Sequence, residues 1–241
     1  MIITSKDNKY IKDLRKLNEK KYRDKNKKFL VEGIHLVKEA YKTGNLLEIL
    51  LVDDDYNDID VKKTFITSEV MKSISSLETP YNVIGVCAFK EDESYGEKIL
   101  ILDGLQDPGN IGTIIRSAVA FNIDTIVLSE GCVDVYNSKV LRASQGMNFH
   151  INILKKELNS FILSLKEKDY LIYGTNVKNG EKIKSARNSS KYAIIVGNEG
   201  NGVSSDIQKL CDKNIYIEMN KKCESLNVAV ATSILLYELS N

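Results

Sequence analysis

The chain has 241 residues, 43% of them apolar, which is ample material for a packed core and argues against intrinsic disorder and against a fibrous fold. Lys and Arg number 34 against 33 Asp and Glu, so the net charge of +1 excludes a uniformly basic or acidic protein while leaving room for local asymmetry. The longest unbroken apolar stretches, such as residues 99–102 and 192–196, fall far below the roughly 18 residues that cross a bilayer, and the opening MIITSKDNKY has no apolar core behind its charges. The sequence therefore predicts no membrane span, no secretory signal and a cytoplasmic protein.

The first predicted element is a charge run. Residues 6–28 carry eleven Lys or Arg against four acids, a local net charge of +7. Lys6, Lys9, Lys12, Lys16, Lys20 and Arg23 recur at intervals of three or four, which places them near one face if the segment is helical. Taken alone, a solvated helix face accounts for this pattern. Contact with a phosphate backbone needs a reason from elsewhere in the chain.

FLVEGIHLVKEAYKTGN then reads as an amphipathic helix with Ile34, Val37, Ala40 and Tyr41 apolar, stopped by Gly44. The strand-like LLEILLV, the acidic loop DDDYNDID, a short strand VKKTFIT, a helix from about Ser68 and a strand around YNVIGVCAF complete a small α/β domain over residues 1–90. KEDESYGEK is charged, contains Gly96 and has no large aliphatic residue. Residues 91–98 are assigned as a linker and 99–241 as a second domain.

From Ile99 onward, strand and helix signals alternate. The runs ILILDGL, TIVLS, YLIYGT, YAIIVG and NIYIEM are strand-like, and residues 110–122, 137–146, 156–167, 203–211 and 225–239 are helical. Continuous apolar strands alternating with helices predict an α/β fold with a mostly parallel sheet covered on both faces. Ligands of such sheets sit at the carboxyl ends of the strands, where this chain has DGLQDPGNIG, GTNVKNGE, GNEGNGVS and MNKKCESLN, its most polar and glycine-rich loops.

Three of these loops carry candidate chemistry. In the first, Pro108 sets a turn, Gly109 and Gly112 permit close backbone approach, Asn110 is a plausible helix cap, and Arg116 lies almost two turns into the helix that follows. In the second, Gly197, Gly200 and Gly202 have the spacing G-x-x-G-x-G, which reverses the dinucleotide fingerprint, and no P-loop is present. A nicotinamide or nucleoside-triphosphate enzyme is therefore disfavoured. In the third, Ser225 or Asn227 is positioned to cap the last helix, and Cys223 has no histidine neighbour to activate it. The four cysteines, Cys87, Cys132, Cys211 and Cys223, contain no C-x-x-C pair, and only His35 and His150 could join them, so neither a zinc cluster nor a disulfide framework fits.

The three loops, in this order, resemble the three motifs of the SpoU (TrmH-type) branch of the SPOUT RNA methyltransferases. LDGLQDPGNIGTIIRSA resembles the first motif through Asn110 and Arg116, VGNEGNGVS the second through Glu199, and IYIEMNKKCESLNVAVA the third through Ser225, Leu226 and Asn227. The segment DVYNSKVLRASQGMNFHINI, with Lys139, Arg142, Ser144 and Gly146, also has the look of the family, and residues 1–90 resemble its L30e-like RNA-binding domain. The resemblance implies a homodimeric ribose 2′-O-methyltransferase that uses S-adenosylmethionine, needs no metal, and has its C-terminal backbone threaded into a trefoil knot. The knot comes from the resemblance alone, because sequence physics favours an unknotted sheet.

The resemblance further implies roles for individual residues. Asn110, Arg116, Glu199, Ser225 and Asn227 form the catalytic set, with Arg116 as base or oxyanion stabiliser. Thr175, Gly197, Gly202, Ile217, Met219 and Leu226 match positions that hold the cofactor. It also supplies the missing reason for the basic run, so Lys9, Lys12, Arg15, Lys16, Lys20, Arg23 and Arg142 become candidate RNA contacts. Ribosomal RNA is the expected substrate, with transfer RNA as the alternative. The simultaneous presence of the five catalytic candidates argues against a protein that only binds RNA, and a small-molecule enzyme of this fold would leave the basic run unexplained.

Overall fold

The computed structural model describes residues 2–240 except 54, 55, 57, 91, 177–179 and 184–189. The chain divides into two compact units, Met1–Glu91 with Asp134–His150, and Asp92–Val133 with Ile151–Asn241.

The first unit is built on a five-stranded mixed sheet. Its strands are β1 (Ile2–Ile3), β2 (Lys28–Glu32), β3 (Leu46–Leu51), β4 (Lys62–Ile66) and β5 (Val83–Ala88), in the order β1-β4-β3-β5-β2. β5 runs antiparallel to both β2 and β3, while β1, β4 and β3 are parallel. Its helices from the first segment are α1 (Lys9–Lys16), α2 (Lys20–Asn26), α3 (Ile34–Lys42) and α4 (Ser68–Ile74).

Two sequence expectations need correction here. The basic run is not one helix: it breaks at residues 17–19, and α2 ends where Lys27 takes a left-handed conformation, φ 51°. Leu17 is buried beside Ile11 and Leu14, so the chain turns to keep α1 on the core and the regular basic stripe is lost. Likewise, FLVEGIHLVKEAYKTGN is not all helix, because its first residues belong to β2 and the helix starts only after Gly33, whose φ of 92° is readily available to glycine.

The second unit has a seven-stranded sheet that is parallel throughout. Its elements are β6 (Lys98–Asp103), α5 (Pro108–Ala120), β7 (Thr125–Leu128), then, after α6 (Ser138–Ala143) of the first unit, β8 (Asn152–Lys155), α7 (Leu158–Lys166), β9 (Leu171–Thr175), β10 (Glu181–Lys182), β11 (Tyr192–Gly197), α8 (Ser205–Leu210), β12 (Lys213–Tyr216) and α9 (Val228–Ser240). The strand order is β10-β12-β9-β11-β6-β7-β8. One face is sealed by Leu158, Phe161, Ile162 and Leu165 of α7 packed against Ile99, Ile101, Ile172 and Ile195. α5 and α9 pack together, with Ser117 Oγ 2.7 Å from Ser233 Oγ and the Phe121 and Tyr237 rings edge to face. β8, short and at the sheet edge, is a strand that the sequence pattern did not signal.

The expected linker is firmly seated on the second unit. Tyr95 packs on Phe161 and Tyr170, Gly96 N donates to Thr125 Oγ1 at 3.2 Å, and Lys98 already belongs to β6. The expected domain boundaries also miss an excursion, because residues 134–150 pack with the first unit rather than the second. The physical reason is apolar burial: Leu141 and Phe149 enter the core of Phe29, Val31, Leu36 and Val37, and Tyr136 stacks on Phe89 at 4.0 Å. Gly146, φ 80°, lets this segment approach α3 so closely that an added Cβ would lie 2.8 Å from Glu39 Cβ. Next to it His150 Nε2 meets Glu39 Oε2 at 2.6 Å, and His35 Nε2 lies 3.0 Å from the Gln145 carbonyl.

Candidate active site

Because the strands of the second unit are parallel, the loops after β6, β9, β11 and β12 all leave the same edge of the sheet. A cavity of about 430 Å³ opens there. All six expected cofactor positions line it: Thr175, Gly197, Gly202, Ile217, Met219 and Leu226. So do Glu199 and Ser225 of the expected catalytic set, while Asn110, Arg116 and Asn227 do not.

The glycine-rich loop shapes one wall. Gly202 N donates to the Asn198 carbonyl at 2.8 Å, closing a tight turn that needs the positive φ of Gly202, 68°. A Cβ on Gly197 would lie 2.0 Å from the Gly202 carbonyl carbon and from Val203 N, so this wall must be bare backbone. The loop is tied to β6: Asn198 Nδ2 donates to the Gly104 carbonyl at 2.9 Å, and Ser204 N donates to Asp103 Oδ2 at 2.9 Å. Ile215, Val228 and Leu235 add apolar surface to the lining, Gln208 and Ser225 add polar surface, and Thr175 Oγ1 is held by a 2.9 Å bond to the Ile195 carbonyl.

From Glu199 in the cavity lining outward, three expected catalytic side chains form one chain of hydrogen bonds. Asn227 Nδ2 donates to Asn110 Oδ1 at 3.0 Å, and Asn110 Nδ2 donates to Glu199 Oε1 at 2.7 Å. Each is fixed by local structure. Asp107 caps α5 through a 2.7 Å bond from Asn110 N, so Asn110 sits in the first turn rather than at the cap. Asn227 is the cap of α9, accepting from Ala229 N at 2.9 Å, which decides between it and Ser225. The network thus joins residues 89 and 117 positions apart in the chain.

Arg116 stands apart. At about 100° per residue it lies roughly 120° around α5 from Asn110, and it is exposed without a hydrogen-bond or ion-pair partner among the described residues. Almost two turns into α5, its side chain makes no bond back to the preceding loop among the described residues. Asn198, Asp103 and Asp107, which hold the loops, were not singled out in the sequence. Asn and Asp beside glycine at strand ends were the available signal, but these residues read there as ordinary turn formers.

The basic candidates divide by burial. Lys12 pairs with Asp7 and Lys16 with Asp13, each at 2.8 Å, and Lys20 pairs with Asp24. These pairs are exposed and worth at most about 1 kcal/mol, so a phosphate can replace any of the three acids. Lys9 is exposed, and Arg15 donates to Ser73 Oγ at 3.0 Å. Arg23 is a correction. It is 5% exposed, its Nε and Nη2 reach Asp134 Oδ2 at 3.0 and 2.6 Å, and its Nη1 donates to the carbonyls of Leu17 and Asn18. This guanidinium pins the 134–150 excursion and is not available to RNA. Arg142 of α6 is half-buried and donates to Ser76 Oγ at 3.2 Å.

The cysteines are free; burial pushes the Cys87 thiol well up and Cys211 up to about 11, with Asp212 adding to the latter. Among the described residues no group of three His, Cys, Asp or Glu is placed to hold a metal ion, and no helix is long and apolar enough to cross a membrane.

Fold and site together define an α/β protein with a pocket for a nucleoside-sized ligand at the carboxyl edge of a parallel sheet, rimmed by a carboxamide and carboxylate network. Residues 97–237 match the SpoU rRNA Methylase family, and residues 8–85 match the MRM3-like substrate binding domain. The chain belongs to the SpoU rRNA methylase family. It is 38% identical to the 23S rRNA (guanosine(2553)-2′-O)-methyltransferase RlmP of Bacillus subtilis, with 98% of each chain covered. An AdoMet-bound rRNA methyltransferase from Sinorhizobium meliloti superposes with a TM-score of 0.87 at 26% identity, over 99% of this chain and 97% of that one. An RNA 2′-O ribose methyltransferase gives 0.82 at 28% identity, over 99% and 98%.

Proposed function

We propose that this protein transfers a methyl group from S-adenosylmethionine to a ribose 2′-hydroxyl of 23S ribosomal RNA. The observation that carries the reading is the Asn227–Asn110–Glu199 chain of hydrogen bonds, which ties the three family motifs together beside the cavity. The Bacillus subtilis relative supports 23S rRNA over transfer RNA, and its guanosine 2553 is the first nucleotide to test.

The cavity fits the cofactor on its own evidence. Its volume lies within the roughly 300–1,000 Å³ typical of small-molecule sites, and it combines a flat backbone wall at Gly197 and Gly202 with an apolar wall at Ile217, Leu226 and Leu235. Those surfaces suit an adenine ring, while Thr175, Met219 and Ser225 lie along the remaining edge. When bound, S-adenosylmethionine supplies an electrophilic methyl group on a positively charged sulfur.

The chain's residues must then orient the ribose and ease loss of its hydroxyl proton. Asn110 bonds to Glu199 and Asn227 to Asn110, which supports a role for the Glu199 carboxylate in orienting the ribose. Arg116 lies outside the cavity lining and is permanently charged, so its part in the chemistry is to swing to the bound ribose and stabilise developing oxyanion charge rather than to act as a base. Lys9, Lys12, Arg15, Lys16, Lys20 and Arg142 supply phosphate contacts. Val230, Ile234 and Tyr237 leave an apolar stripe of α9 exposed, which supports a homodimer through this helix. We further take the protein to be cytoplasmic, independent of metal, and knotted in its C-terminal backbone as the family resemblance implies.

The test is to incubate the purified chain with methyl-labelled S-adenosylmethionine and unmodified 23S rRNA or transfer RNA transcribed in vitro, then digest the RNA and identify the labelled nucleoside. A 2′-O-methylnucleoside from 23S rRNA is expected. Label only in transfer RNA, only on a base, or nowhere refutes the reading.

A further inference from the structure

In the first unit, the 75–82 loop presents an aromatic ring to solvent. Tyr81 is 53% exposed, and its hydroxyl has no partner among the described residues. The ring is nevertheless seated: its Cγ, Cδ2 and Cε2 lie where a Cβ on Gly33 would be only 3.2–3.4 Å away. Gly33 combines the missing side chain with a φ of 92°, so any other residue there would be strained and would also push the ring away.

The residue before Gly33 organises the same loop. Glu32 is 8% exposed, and its carboxylate accepts from Ser76 N at 2.9 Å, from Ser76 Oγ at 2.6 Å and from Ser75 Oγ. Ser76 Oγ in turn accepts from Arg142 Nη1. Two neighbouring residues at the end of β2 therefore hold a solvent-facing ring and a guanidinium whose other donors are uncommitted among the described residues. Arg142 belongs to the 134–150 excursion, so it reaches the loop that carries Tyr81 only because that segment folds onto this unit.

We propose that Tyr81 and Arg142 form a single-stranded RNA subsite, in which an unpaired base stacks on the Tyr81 ring and an adjacent phosphate is bound by Arg142. The inference rests on the RNA-methyltransferase reading. The chemistry is specific to single strands: an exposed aromatic face offers little to a duplex whose bases are already stacked, whereas every unpaired base presents a π-face, and a planar guanidinium matches a phosphate. The match of residues 8–85 to a substrate-binding domain places Tyr81, Gly33 and Glu32 in the region expected to meet RNA.

The test measures filter binding and methylation of unmodified 23S rRNA for the full chain and three variants, with S-adenosylmethionine affinity followed by calorimetry. Tyr81→Ala should weaken RNA binding and raise the KM for RNA roughly 5- to 100-fold, while Tyr81→Phe, which keeps the π-face, stays within about twofold. Arg142→Ala should weaken binding and lower the salt slope by about one. Cofactor affinity should be unchanged in all three. Equal RNA affinity in Tyr81→Ala and the parent overturns the subsite, as does a loss that Tyr81→Phe fails to rescue. A parent chain that methylates no RNA refutes the underlying function instead.

Discussion

The basic run at the start of the chain and the polar loops at the sheet edge of the second unit make an instructive pair. The run has eleven positive charges in 23 residues, yet Lys12, Lys16 and Lys20 are matched by nearby acids and Arg23 is a buried structural group. The loops contribute two neutral amides and one carboxylate, and parallel strands bring these into a single bonded network. Charge density along a sequence counts side chains, whereas function depends on which donors and acceptors the fold leaves uncommitted.

The largest effect is expected inside the run. Arg23→Ala leaves the largely covered carboxylate of Asp134 without its partner and should cost about 3–5 kcal/mol of stability, measured by urea unfolding. A variant of full stability that had lost only RNA affinity would return Arg23 to the RNA-binding set. In the second unit, Arg116→Ala should slow methyl transfer about 10²- to 10³-fold, with cofactor affinity within a few-fold by calorimetry. Near-normal turnover would remove Arg116 from the chemistry and leave the network alone responsible.

Asn227 separates scaffold from site. Asn227→Ala should cost about 1 kcal/mol through the lost α9 cap and slow transfer roughly tenfold, about the worth of one hydrogen bond. Asn227→Asp keeps the cap acceptor but loses the donor to Asn110, so stability should survive while the rate still falls. If both variants matched the parent in rate, the network would be structural only.

A smaller change is expected at Lys9, where Ala should weaken RNA binding only a few-fold and reduce the salt slope by about one. An unchanged slope would assign Lys9 to the solvated face. The smallest effect concerns Glu157, an exposed charge committed wholly to capping α7. The backbone N–H of Ser160 first, then the side chain and backbone of Asn159, donate to its carboxyl and lower its pKa to about 2. A depressed pKa means that its contribution is present above about pH 4.5 and fades as pH falls toward 2. Glu157→Gln should flatten that acid limb of the stability curve, and an identical limb would place the titration elsewhere.

The excursion of residues 134–150 also changes how the protein can be divided. A truncation that removes residues 1–90 would strip the partners from Leu141 and Phe149, leaving apolar surface on the remaining fragment. The two units share chain even though each has its own sheet.

Much of the second unit was legible in the sequence. Apolar runs such as YAIIVG and ILILDGL are what buried parallel strands require, and the resemblance named the family together with Thr175, Gly197, Gly202, Ile217, Met219 and Leu226, all of which line the cavity. These features are local, because strand burial, turn conformation and motif spacing are each set within a few residues. Only the tertiary structure decided which charges were already committed, that Asn110 bonds to both Glu199 and Asn227, and that 134–150 crosses to the first unit. Those outcomes depend on residues 89, 117 and 111 positions apart meeting in space, and no local propensity encodes a contact at that separation.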